Sequence, residues 1–248
     1  MSDPMYGGGI SYGHLYFSFS VGLAPKKVSD GGVGGSGLSD DRNGTKGLEF
    51  EDNGGMISGF GFSKLLIDTH FDARGRLGRI IPGLIQTKKS MGIGIDENTC
   101  LFYNNGIGTV YGDNGVFVID ISNGIQNKAL KYFNLKQVVV SHLTSGDRFD
   151  FQNKIVKSSK PIIKEPKFSG YTDSSDIFKS YECSFLMERL VDQTGKYNVG
   201  MSKVPSGYPG SAPKFELKFY SSINTKGYYS EEKKQYTVEK VMMDLLFE

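Results

Sequence analysis

The amino-acid sequence predicts an α/β fold, because two strands and the helix between them form a recognisable unit. The apolar runs at 64–68 and 91–96 have the length and composition of buried strands. The intervening segment 77–89 carries apolar residues at helical spacing despite Pro82 and Gly83, which predicts a short or bent helix. Two strands joined by a helix within about 30 residues are normally parallel, with a right-handed crossover.

The residues after this βαβ unit alternate between apolar runs and turn signals, which is typical of hairpins. The predicted strands cover 100–103 and 108–112 on either side of the turn "NNG", and then 116–121 and 137–143.

The C-terminal part has its own pattern. The stretch 157–170 is rich in lysine and proline and reads as a linker. Helical spacing of apolar residues predicts a helix within 174–193, and period-two alternation predicts a strand at 214–223. The closing segment 236–246 fits either a strand or a helix.

The chain divides by composition into three regions. Residues 1–61 are dense in glycine and are expected to be mostly loop. Residues 62–156 hold the predicted α/β core, and residues 157–248 form a C-terminal extension of unknown role. With 248 residues, the chain is long enough to bury a sizeable core.

Composition argues against several classes of function. The chain has 29 basic and 27 acidic residues, so no overall field favours nucleic acid or an anionic membrane as a partner. Cys100 and Cys183 lie far apart without metal-ligand spacing, so we expect neither a metal site nor a disulfide framework. No apolar run reaches the length of a transmembrane helix.

The segment 65–79, "LLIDTHFDARGRLGR", concentrates the polar chemistry. Asp68, Thr69 and His70 come at the C-terminal end of a predicted strand, the edge where open α/β sheets place their ligands. Guanidinium groups suit carboxylates, and the three arginines of the segment are Arg74, Arg76 and Arg79. In the structural alternative, these arginines pair with Asp68 and Asp72. We expect at most one of them to be wholly engaged in that way.

A family resemblance rests on these residues. "DTHFDARGRLGR" at 68–79, "GIGIDENT" at 92–99 and "VVVSHLTSGDRFDF" at 138–151 resemble the signature of cyanophycinases, serine-type peptidases related to aspartyl dipeptidase. The resemblance covers residues 1–151 and is closest over 64–122. It implies a class I glutamine-amidotransferase-like (flavodoxin-like) three-layer core, truncated at its N-terminus, with a C-terminal α+β appendage.

The resemblance also implies an activity, the hydrolysis of β-linked aspartyl–arginine peptides such as cyanophycin by a Ser-His-Glu triad. His70 matches the catalytic histidine and Glu97 its orienting acid. No metal and no organic cofactor is implied. The residues that match the substrate pocket are Asp68, Thr69, Arg74, Arg76 and Arg79. Thr69 stands where the family has glutamine.

The nucleophile is the main departure from the family pattern. In the family it lies in a G-T-S-A-G-A elbow just before the position matched by Met1. Ser11 in "GISYG" fits G-x-S-x-G, but the preceding "MSDPMYGG" does not form the buried strand that an elbow needs. We therefore expect a C-terminal part of a longer peptidase, inactive alone, whose partners are its N-terminal half and an Asp- and Arg-containing peptide, with a homodimer as a further candidate.

Two alternatives remain open. The chain could be a non-catalytic relative that uses the same pocket to bind acidic peptides, or a glutamine-amidotransferase-like domain with other chemistry. His142 lies in an apolar strand and is expected to be a core or rim residue. His14 falls in the glycine-dense region and is expected to be exposed. The sequence leaves the cellular compartment open.

Overall fold

The computed structural model describes residues 65–130, 132–202 and 215–247, so the predictions for residues 1–61, with Ser11 and His14, lie outside the described residues. The first strands are β1 (Leu65–Thr69), β2 (Met91–Ile95), β3 (Thr99–Asn104), β4 (Ile107–Gly112), β5 (Val116–Asp120), β6 (Leu135–Leu143), β7 (Arg148–Asp150) and β8 (Ile155–Lys157). The later strands are β9 (Asp173–Ser174), β10 (Tyr197–Met201), β11 (Phe215–Tyr220), β12 (Lys226–Ser230) and β13 (Gln235–Phe247). The helices are a 3-10 turn at Asp72–Arg74, α1 (Leu77–Gln86) and α2 (Glu182–Val191).

The strands form two sheets. The larger has nine strands in the order β1-β2-β5-β6-β13-β11-β10-β9, with β12 paired to β13. Among its described strands, only the pairs β1/β2 and β9/β10 are parallel, and the other pairs are antiparallel. The smaller sheet has the order β3-β4-β7-β8 and is antiparallel throughout.

Two apolar cores lie on opposite faces of the large sheet. On one face, α1 and α2 pack against residues such as Phe117 and Val140. On the other, β2 and β5 pack against the small sheet through residues such as Ile93, Leu101 and Val110. The described layers are therefore helices, large sheet and small sheet. The α/β class is confirmed, while the glutamine-amidotransferase-like core remains a prediction.

The predicted βαβ unit is present as β1, α1 and β2, but α1 is shorter than predicted. It ends at Gln86, because Lys88, just after the C-cap residue Thr87, has a left-handed φ of 56° that leaves the helical conformation. Pro82 is tolerated inside the helix, whose buried face packs in the core. Burial of that face offsets the hydrogen bond that proline cannot make.

The C-terminal residues share the large sheet with the predicted core. β13 lies between β6 and β11, so residues on both sides of the boundary predicted at 156/157 pair in one sheet. The ambiguous closing segment is a strand. The helix predicted within 174–193 is α2, which begins only at Glu182. Among the described residues, no helix has the length and apolarity to cross a membrane.

Candidate active site

The C-terminal ends of β1 and β2 bring His70 and Glu97 together. The two strands are parallel neighbours with Thr69 opposite Ile95, so the residues that follow them meet at one edge of the sheet. The His70 Nδ1 atom lies 2.7 Å from Oε1 of Glu97, a hydrogen-bond distance across 27 positions of sequence. Their side chains keep 14% and 20% of their exposure, so the pair is sheltered but reachable.

The backbone fixes both residues of the pair. His70 has a φ of 50° immediately after β1, and Asn98 has a φ of 50° immediately after Glu97. Such conformations persist for non-glycine residues only when their surroundings hold them. The Glu97 carbonyl accepts hydrogen bonds from the side chains of Thr99 and Asn114, at 2.9 and 2.8 Å.

Asp96 ties the two strand ends to each other. One oxygen of its buried carboxylate accepts the backbone N–H groups of Asp72 and Ala73, at 2.8 and 2.9 Å, and so caps the 3-10 turn that follows His70. Burial raises the pKa of Asp96 well above its ordinary value, and the nearby Asp72 raises it further. The residue beside Glu97 therefore positions the turn beside His70.

The electrostatics of the pair suit acid–base chemistry. Burial is the largest single influence and raises the pKa of Glu97, but the hydrogen bond and charge of His70, with a backbone hydrogen bond and the Tyr181 hydroxyl, together outweigh it, so the pKa of Glu97 lies below its ordinary value. An ionised Glu97 that accepts from Nδ1 fixes the tautomer in which Nε2 is the basic nitrogen. A histidine held in this way is arranged to take a proton from a nucleophile.

Asp68 engages two arginines, of which Arg76 is buried and Arg79 remains partly exposed. Its carboxylate is fully buried, 3.0 Å from Nη1 of Arg76 and 3.3 Å from Nη2 of Arg79. Arg76 is itself buried and also donates to the carbonyl of Thr69 at 2.6 Å. Burial lowers the pKa of Arg76, an effect that the charge of Asp68 opposes. Arg74 is exposed, and Thr69 is buried.

Asp72 does not pair with the arginines. Its carboxylate accepts the backbone N–H groups of Cys183 and Ser184, at 3.2 and 2.8 Å, and so caps the first turn of α2. The site thus reaches α2, more than 100 positions away in sequence.

Tyr181 is the site residue that sequence reasoning missed. Its hydroxyl lies 3.4 Å from Oε2 of Glu97, whereas His70 contacts the other carboxylate oxygen, Oε1. No local signal marks a tyrosine 84 positions after its partner. Within the described residues, no group of three or more His, Cys, Asp or Glu side chains is arranged to hold a metal ion.

Comparison with known proteins supports a distant relationship. The chain is 32% identical to the cyanophycinases of Trichormus variabilis and of a Nostoc species over 111 residues, which is 41% of this chain and 36% of each relative. It is 29% identical to the cyanophycinase of Synechococcus elongatus over 102 residues. No model of a protein family matches the chain.

The aligned region covers only part of each relative. The chain spans about a third of the length of the curated relatives it matches. The relationship therefore supports a cyanophycinase-like hydrolase at a coarse level.

Proposed function

We propose that this chain supplies the general base and its orienting acid to a serine-type peptidase of the cyanophycinase kind. One observation carries the proposal: the contact of 2.7 Å between His70 Nδ1 and Glu97 Oε1 at the ends of two parallel strands. The distant similarity to cyanophycinases supports the same chemistry. The proposed substrate class is β-aspartyl–arginine peptides.

The proposed reaction is acyl transfer. His70 takes the proton of a serine hydroxyl through Nε2, and the serine oxygen attacks the scissile carbonyl. Glu97 holds the imidazole in this tautomer and stabilises the imidazolium that forms. His70 then returns the proton to the leaving amine, and water releases the acyl group by the same steps. The serine is proposed to come from an N-terminal half that precedes this chain.

The arginines are proposed to divide their work. Arg76 is buried against Asp68 and Thr69, so its role is to hold the strand end in place. Arg74 is exposed and Arg79 keeps 18% of its side-chain exposure, so these two guanidinium groups are the candidates to receive a substrate carboxylate. Asp68 orients Arg79 for that contact.

Hydrolysis of a β-aspartyl–arginine dipeptide tests the proposal. We expect no turnover from the 248-residue chain alone and turnover once it is joined to an N-terminal half that carries the serine elbow, taken from the Trichormus variabilis relative. In the joined protein, Glu97→Gln should lower kcat about 10²–10⁴-fold with little change in KM. Glu165→Gln, at an exposed glutamate, is the matched control.

Three results would count against the proposal. One is full activity of Glu97→Gln, because the glutamate would then orient nothing. Another is robust turnover by the chain alone that is lost in Ser11→Ala, because the nucleophile would then lie in "GISYG". The third is binding of the dipeptide by the joined protein without hydrolysis, which would favour the non-catalytic alternative.

A further inference from the structure

We propose that Tyr181 is a positioning residue for Glu97, and that the C-terminal region therefore forms part of the site. The Tyr181 hydroxyl donates to Oε2 of Glu97 at 3.4 Å, while His70 contacts Oε1 at 2.7 Å. The two contacts hold the carboxylate from both oxygens, which restricts its rotation. A role in catalysis rests on the proposed function, whereas the contact itself does not.

The backbone of Tyr181 is anchored to the turn that follows His70. Its N–H donates to the carbonyl of Asp72 at 2.9 Å, and its own carbonyl accepts the hydroxyl of Ser184 at 3.1 Å. Tyr181 has a φ of 60°, so its surroundings hold a left-handed conformation that a tyrosine rarely adopts. The anchored backbone aims the ring at Glu97 although the side chain is partly exposed.

Three non-glycine residues near Glu97 have positive φ: His70 and Tyr181, which contact its carboxylate, and Asn98, which follows it in sequence. Strained backbone of this kind concentrates where side chains must be held in one orientation. His70 and Asn98 belong to the predicted core, whereas Tyr181 comes from the C-terminal extension. The contact between Tyr181 and Glu97 thus joins the two regions.

The charge around Tyr181 keeps it a donor. Burial, together with the negative charges of Glu97 and Asp96, raises the pKa of Tyr181 to about 12, so the hydroxyl stays protonated at physiological pH. The same hydrogen bond lowers the pKa of Glu97, after the larger effect of His70. At 3.4 Å the bond is long for a hydroxyl donor, so its effect should be modest.

Carbon-13 NMR of the glutamate carboxyl groups tests the inference on the full chain, without any need for turnover. Glu97→Gln identifies the Glu97 resonance by its loss. We expect Tyr181→Phe to raise the apparent pKa of Glu97 by about half a unit, because the ionised carboxylate loses a donor. Tyr171→Phe, at an exposed tyrosine whose ring stacks on Tyr197, is the matched control and should leave that pKa unchanged.

A second measurement needs no substitution. The Cζ resonance of Tyr181 in the unaltered chain should shift with the same midpoint as the Glu97 carboxyl carbon, because the phenol senses the charge of the carboxylate. An unchanged Glu97 midpoint in Tyr181→Phe, an equal shift in Tyr171→Phe, or a Tyr181 resonance that ignores the titration would overturn the inference. If the NMR results are as expected but the joined protein shows no turnover of the dipeptide, the proposed function alone would be contradicted.

Discussion

Asp68 forms ion pairs with two guanidinium groups at the end of β1. Its carboxylate is fully buried and contacts Arg76 at 3.0 Å and Arg79 at 3.3 Å. Arg76 is buried as well, so the removal of Asp68 would leave a desolvated positive charge without its counterion. The segment that reads as a substrate-binding motif is thus also a structural ion cluster.

This cluster predicts a large loss of stability in Asp68→Ala. We expect a loss of about 3–5 kcal/mol in the free energy of unfolding, because Arg76 keeps its charge in a buried position. Urea denaturation measures the change. Asp120→Ala is the control: it removes the partner of Lys154, whose side chain is 42% exposed, and should cost about 1 kcal/mol or less. Equal losses in the two variants would contradict the buried-charge argument.

Gly94 explains part of the "GIGID" pattern in β2. A Cβ atom at Gly94 would lie 2.2 Å from the ring of Phe71, the fully buried residue directly after His70. Glycine inside a strand often marks such a close approach. The position is therefore tied to the placement of His70 through its neighbour.

We expect Gly94→Ala to destabilise the chain by about 1–3 kcal/mol, because the added methyl group overpacks a filled core. The double variant Gly94→Ala/Phe71→Leu should lose less than the sum of the two single variants, since the smaller side chain makes room. Thermal or urea unfolding of the three variants measures this coupling. Strict additivity would show that the two positions do not compete for space.

At the scale of elements, α2 is capped by a residue of another segment. The Asp72 carboxylate accepts the N–H groups of Cys183 and Ser184 at the first turn of α2, while the Asp72 backbone belongs to the turn between β1 and α1. Tyr181 precedes α2 without a side-chain cap of its own, so Asp72 takes that role.

Asp72→Ala should destabilise the chain by about 1–3 kcal/mol, because two N–H groups would be buried without an acceptor. Hydrogen exchange should accelerate at the amides of Cys183 and Ser184 beyond the change in global stability. Asp150→Ala is the control, since Asp150 accepts the N–H groups of Gln152 and Asn153 in an exposed turn. Unchanged exchange at Cys183 and Ser184 would contradict the cap.

Local patterns predict the βαβ unit, the strands β3 to β6, β11 and the helix α2, but not the strands β7 to β10 and β12, nor the contacts between distant elements. The βαβ unit and the hairpin of β3 and β4 follow from periodicity and turn residues, which act over a few positions. The contact of His70 with Glu97 was expected because adjacent parallel strands end at one edge. The contacts of α2 with Asp72 and of Tyr181 with Glu97 span 84 to 112 positions, and neither has a local signature. They depend on how the C-terminal residues join the sheet.

At the scale of the whole molecule, a titratable pair joins the sheet to α2. His142 in β6 is buried, and its Nδ1 lies 3.8 Å from Oε1 of Glu188 in α2, beyond a hydrogen bond. Burial lowers the pKa of His142 to about 4, with Asp147 and Lys160 as its charged neighbours. Burial also raises the pKa of Glu188 to about 7, with smaller effects of Asp72 and Arg189. The folded chain thus favours a neutral histidine beside a protonated glutamate.

The two shifts act on stability with opposite signs. Because the pKa of His142 is lowered, this residue contributes to folding stability at a pH above its ordinary pKa of 6.5. That contribution is lost as the pH falls towards 4. Because the pKa of Glu188 is raised, this residue contributes to folding stability at a pH below its ordinary pKa of 4.5. That contribution is lost as the pH rises towards 7. Between 4.5 and 6.5, folding moves one proton from His142 to Glu188 with little net uptake.

Substitution of either residue alone should therefore reveal a dependence of the free energy of unfolding on pH. In the unaltered chain, the opposite effects of His142 and Glu188 cancel it. In Glu188→Gln, the free energy of unfolding should rise with pH between about 4 and 6.5. His142 then binds a proton in the unfolded chain but not in the folded one, and Glu188 no longer compensates. In His142→Gln, the free energy of unfolding should fall as the pH rises from about 4.5 to 7. Glu188 then binds a proton in the folded chain but not in the unfolded one, and His142 no longer compensates. The double variant should return the slope of the unaltered chain, since the other titrating groups are common to all four proteins. Urea denaturation across this pH range measures the slopes, and four parallel profiles would show that His142 and Glu188 do not exchange a proton on folding.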